Sequence, residues 1–196
     1  MPSEDFAAIQ ARVLDEIDYL AYETDYVLKV LRPHWPVETR HFGNTVHGLA
    51  LICFSKIDEL SQYREFHGDQ TARMAAFLDD LFGVSSEASD VAVKMWRHVL
   101  VHTGQPREVK SHGARYSWLL TCVDDFPRDQ HFRFQPVEPP RVLNLALHFL
   151  VEDLRVAAHR LFADFQGNPE KQRRVESVSE AMKTQAFRLR RPPSAA

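Results

Sequence analysis

Three side chains able to do chemistry cluster where one predicted helix ends: Arg97, His98 and His102. Arginine keeps its charge at any working pH and forks onto phosphate oxygens. Histidine titrates near neutrality, so it can take or give a proton. Together they suit reaction at an oxyanion, with a fixed cation holding developing charge and an imidazole moving the proton. Arg107, Lys110 and His112 follow in the next loop and add further candidates for contact with a polyanion.

The element that must position them is Ser86–His102. Ser85 or Ser86 can cap it, Glu87 and Asp90 suit its positive end, and Gly104 and Pro106 stop it. On a regular helix Arg97 and His102 point ~140° apart. They meet at one phosphate only if the last turn unwinds or a second protomer contributes. Val91, Met95, His98 and His102 also recur at i, i+4, i+7 and i+11. That spacing equally describes a core face ending in hydrogen-bonded imidazoles. His98 and His102 have the i, i+4 spacing of two metal ligands, with His112 as a third candidate. No Glu follows His98, however, and no metal site or other cofactor is expected.

Four further helices are predicted from apolar residues at helical spacing. The first covers 5–31, through Ile9, Val13, Ile17, Leu20 and Val27. The second covers 41–65, through Val46, Leu49, Cys53, Ile57 and Leu60. Asp69 caps a third that runs to about Phe82 and is closed by Gly83. A long one spans Val142 to about Phe165, and Gly167-Asn-Pro169 breaks it. A more polar helix follows over 170–189. Between these, Tyr116–Val123 and His131–Gln135 read as two short strands, a hairpin at about 115–136 across Asp124–Gln130. The expected fold is therefore mainly α: an antiparallel helical bundle with a small β-hairpin insertion and C-terminal helices.

At 196 residues the chain is long enough for a real core. One helical domain is expected over 1–167, with a basic C-terminal helix and tail over 168–196. The net charge is -3, which excludes coating nucleic acid by bulk charge. Residues 170–196 carry +4 and leave the body at -7. Cys53 and Cys122 lie in apolar surroundings, as reduced core thiols do. No signal-peptide pattern opens the chain, and no apolar run approaches the ~20 residues that span a bilayer. A cytoplasmic protein with no membrane partner is expected. No Gly-x-Ser-x-Gly and no phosphate-cradling glycine loop occurs.

The run Arg97-His98-Val-Leu-Val-His102 resembles the Arg-x4–6-His motif of the HEPN superfamily of small helical-bundle proteins. The polar residue straight after the arginine and the Thr103-Gly-Gln-Pro106 exit resemble that superfamily too. The resemblance covers about residues 40–165. It implies a metal-independent endoribonuclease working as a homodimer, with both copies of the motif lining one cleft. Toxin–antitoxin and phage-defence roles, with a neutralising partner protein, are common in that superfamily. The roles that follow are His102 as general acid/base, Arg97 as phosphate and transition-state clamp, and His98 as an auxiliary contact. Arg107, Lys110 and His112 would contact the RNA. The RNA 2′-OH would act as nucleophile and leave a 2′,3′-cyclic phosphate. The resemblance equally admits a non-catalytic helical module that binds a protein, a nucleotide or RNA.

Overall fold

A computed structural model describes residues 4–31, 39–65, 68–96, 108–122, 125–136 and 139–189, with backbone alone at 31, 39–44 and 184–189. The chain is mainly helical with one small three-stranded sheet. Helix α1 (Phe6–Leu31) opens on Asp5, whose carboxylate accepts from the Ala8 amide at 2.8 Å. It buries Ile9, Val13, Ile17, Leu20, Thr24 and Leu28 and exposes Tyr19, Tyr22 and Tyr26. Helix α2 (Thr39–Arg64) buries Val46, Ala50, Cys53, Phe54, Ile57 and Leu60 at the spacing of one helix face.

Helix α3 (Gln70–Phe77) is capped by Asp69, which accepts from the Ala72 amide at 3.0 Å. A π-helical turn over Leu78–Phe82 extends it, and Gly83 ends that turn at φ 67°, a left-handed position that glycine takes without strain. Helix α4 (Ser86–Lys94) is capped by Ser85 and buries Val91, Ala92 and Val93. Helix α5 (Leu147–Phe165) packs on both α1 and α2, and Lys56 of α2 pairs with Glu16 of α1 at 2.5 Å. Helix α6 (Pro169–Leu189) docks on α1 and α2. Its Val175 and Val178 are buried, and Glu176 accepts from the Phe6 amide at 3.0 Å. Part of the basic character of this region is used locally. Lys171 pairs with Asp164 at 2.6 Å, Lys183 with Glu4 at 3.0 Å, and Arg174 donates to the Arg64 carbonyl at 2.6 Å.

The sheet departs from the expected hairpin at 115–136. Strand β1 (Val109–Ser111) pairs antiparallel with β2 (Ala114–Thr121) across a two-residue turn at His112–Gly113. Both turn residues have positive φ, 48° and 75°, which matches the right-handed twist of a tight hairpin. Strand β3 (Arg141–Ala146) occupies the start of the expected Val142–Phe165 helix. It runs parallel to β2 from Tyr116↔Arg141 to Thr121↔Ala146. Leu143, Asn144, Leu145 and Ala146 are all buried, so β3 lacks the alternation that marks a half-exposed strand. The 132–135 segment does bond to a strand, but to β3 rather than to Tyr116–Val123. Phe132 N donates to Asn144 O at 2.9 Å, and Gln135 N donates to Val142 O at 2.8 Å.

Cys53 and Cys122 are buried and not in a disulfide, and burial pushes the Cys53 thiol up to about 12. Neither thiol should react with a thiol-specific colorimetric reagent at neutral pH until the chain is denatured, when both should react. A fast native reaction would contradict this packing.

Candidate functional site

Arg97, His98, His102 and Arg107 lie outside the described residues. What is described is the frame on either side of them. Past Lys94 the chain continues into a π-type turn at Met95–Trp96, with the Met95 amide still donating to the Val91 carbonyl. Met95 and Trp96 are buried. The Trp96 indole stacks on Phe54 of α2 at 6.1 Å between centroids, and Trp118 of β2 meets the other neighbourhood of the same ring, also at 6.1 Å. The residue that precedes Arg97 is thus anchored where helix α2 meets the sheet.

The returning chain reaches the same end of α4. Lys94 Nζ donates to Ser111 Oγ at 2.8 Å and to Asp90 Oδ2 at 2.7 Å. Ser111 Oγ donates to Asp90 Oδ2 at 2.7 Å, and His112 Nε2 lies 3.0 Å from that same oxygen. Burial pushes the Asp90 carboxyl up, but Lys94 and Ser111 outweigh it and hold the group below the usual carboxylate range. Ser111 is not set up as a nucleophile: it is buried, and its proton goes to an ionised carboxylate. His112 is mostly exposed and oriented by Asp90, as a solvent-facing imidazole available to a ligand. Lys110, the other described candidate, is exposed on β1. The structure therefore brings His112 to the end of α4 and ties Lys94 to Ser111 across the base of the 97–107 segment. The sequence offered Asp90 only as a complement to the positive end of its helix and did not single out Lys94 or Ser111. Only the i, i+4 spacing of Asp90 and Lys94 hints at them, and a solvated pair shares that spacing.

Among the described residues no group of three or more His, Cys, Asp or Glu could hold a metal. None of the helices there is long and apolar enough to cross a membrane. Arg141, which shares the motif's longer spacing with His148, is paired with Glu87 and lies over the Phe134 ring at 4.4 Å. It therefore ties β3 to α4 instead of forming a second motif.

A second polar cluster has no sequence signature. His131 is buried beside Asp153 of α5, with Nε2 3.5 Å from Asp153 Oδ2. Its Nδ1 accepts from the Ala146 amide at 3.0 Å. Arg128 pairs with Asp153 and lies 4.6 Å above the Phe149 ring. Burial pushes the His131 pKa down from its ordinary 6.5, against the opposing pull of Asp153. His47 is lowered by burial as well. In the unfolded chain both imidazoles take a proton as pH falls through about 6.5, while in the fold they resist it. Stability should therefore be full above that pH and decline progressively below it, down to the lower folded-state values. Urea titrations at pH 7.5, 6.5 and 5.5 should show this decline, and it should be shallower in His131→Gln. A pH-independent midpoint would contradict the assignment.

Comparison of the chain with known protein families, with curated proteins and with solved structures gives no match. The functional reading consequently rests on the motif and on the frame around it.

Proposed function

We propose that this chain is a metal-independent endoribonuclease of HEPN type. In this reading His102 moves the proton, Arg97 holds the phosphate oxygens and His98 makes an auxiliary contact. The observation that supports it is the frame. Trp96 is locked onto Phe54 immediately before Arg97, and Lys94 is bonded to Ser111 where the chain returns. A segment held at both ends loses less freedom on binding a substrate, and catalytic groups need that pre-organisation. A homodimer that sets two motifs across one cleft would complete the site. Arg107, Lys110 and His112 would contact the RNA backbone. A toxin or defence role, checked by a neutralising protein, follows from the same resemblance.

The test is incubation of the purified chain with total cellular RNA in excess EDTA, with the product ends identified. Cleavage that leaves 2′,3′-cyclic phosphate is expected. Intact RNA with folded protein would reject catalysis and leave a helical binding module.

A further inference from the structure

Helix α1 carries a second face that is exposed rather than packed. Tyr19, Tyr22 and Tyr26 recur at i, i+3 and i+7 on the side away from Ile9, Val13 and Ile17, and they are 61, 68 and 62% exposed. Tyrosines grouped in solvent mark a contact surface, since the ring is apolar and only the hydroxyl needs water. The three rings rim a groove of about 360 Å³, with Val27 of α1 and Leu49 of α2 beside them and Glu23 among them. The groove shares no residue with the Asp90 cluster, and the inference does not rest on the ribonuclease reading.

Charge selects the occupant. Residues 14–26 hold five carboxylates and no lysine or arginine. Asp18 is paired with Arg155 and Asp25 with Lys29, but Asp15 and Glu23 are exposed and have no ion-pair partner among the described residues. Glu23 lies against the Tyr19 hydroxyl, and its charge pushes that phenol's pKa up. Such a rim repels a nucleic acid. A guanidinium gains there twice, from a carboxylate and from the face of a tyrosine ring. The far end of the chain has the complementary composition. Residues 183–196 hold Lys183, Arg188, Arg190 and Arg191 and no acid, and Pro192-Pro193 follows the arginines. Consecutive prolines favour an extended chain with little entropy left to lose, the form that aromatic-lined grooves take up.

A chain's own tail does not reach its own groove. Helix α6 meets Phe6 at Glu176 and Glu4 at Lys183, so it runs off the start of α1, away from the tyrosines. Glu23 stands about 25 Å along α1 from Phe6, at ~1.5 Å per residue. Arg191 follows the last residue of α6 by two positions, which span only about 7 Å. We propose that the Tyr19–Tyr22–Tyr26 groove is the docking site for the Arg190-Arg191-Pro192-Pro193 tail of a second copy of this chain. The two guanidiniums lie on the tyrosine rings and pair with Glu23 and Asp15, and the prolines cover Val27 and Leu49. Each copy carries both groove and tail, so two copies exchange tails reciprocally.

The experiment is sedimentation equilibrium of the nuclease-treated full chain over about 1–100 μM, in about 0.05 and 0.5 M salt. Reversible self-association in the micromolar range is expected, weaker in the higher salt. Glu23→Arg, at an exposed position, should weaken it at least about tenfold with an unchanged melting temperature, and so should the pair Arg190→Glu and Arg191→Glu. Mixed together, the groove variant and the tail variant should associate, because each tail then meets a groove of opposite charge. A synthetic peptide of residues 187–196 should dissociate the wild-type chain. A monomer throughout the range overturns the proposal, as does a mixture that associates no better than its parts. Association that survives the tail variant would assign the contact to the tyrosine faces themselves and overturn it too. If only untreated chain associates, RNA bridges the copies and the proposal fails.

Discussion

His102→Ala should lower the rate of RNA cleavage in excess EDTA by about 100-fold or more, the usual worth of a positioned general acid or base. Arg97→Ala should cost a similar factor, because a preorganised cation at the developing phosphorane charge is worth ~10²–10³ in rate. The two effects arise differently and can be separated. Losing the imidazole removes the proton carrier, so His102→Ala should flatten the pH–rate profile near neutrality. Losing the guanidinium leaves the profile in place and lowers it throughout. The double variant should be little worse than either single one if the two side chains act on one phosphate in one step. Both should melt within a degree or so of wild type. Cleavage that survives both substitutions would refute the assignment, as would loss of activity accompanied by unfolding. If heterodimers of Arg97→Ala and His102→Ala chains regain cutting, the two residues act across a dimer cleft.

Trp96→Ala should destabilise the chain by about 3–5 kcal/mol, the range for deleting a large buried aromatic. The indole is buried against Phe54, and Phe54 in turn meets Trp118 of β2. Its removal opens a cavity where α2, α4 and the sheet converge, and the surroundings can collapse only in part. For a chain of this length that corresponds to a fall in Tm of about 6–20 °C. Cleavage should fall too, since Trp96 is the anchor directly before Arg97. Trp96→Phe keeps a ring on Phe54 and should retain most of both. A small shift in Tm for Trp96→Ala would mean that this anchor does not carry the frame. Unchanged cleavage in Trp96→Ala at a temperature where it stays folded would detach the anchor from the site.

The candidate site was legible as a motif and illegible as a frame. Arg97, His98 and His102 can be picked out because their residue types and spacing are local facts. Asp90, Lys94, Ser111 and His112 meet on one carboxylate oxygen only because a two-residue hairpin turns the chain back onto α4. His131 and Asp153 lie on a loop and a helix that are brought together by the parallel strand β3. No spacing along the chain encodes either meeting.

By itself the sequence determined the helices whose pattern is local. Apolar residues recur at helical spacing in α1 and α2. Asp69, Ser85 and Gly83 mark ends that the backbone must satisfy nearby, and each does so where expected. It also determined that two cysteines in apolar runs would be buried and outside any disulfide. The tertiary structure alone decided the sheet. Val142-Leu-Asn-Leu-Ala146 has a pattern that continues smoothly into α5 and suits a helix as well as a strand. It is a strand because β2 on one side and the 132–135 segment on the other supply its backbone partners. Those partners come from elsewhere in the chain, and pairing energy gained at a distance overrides a preference that is weak residue by residue.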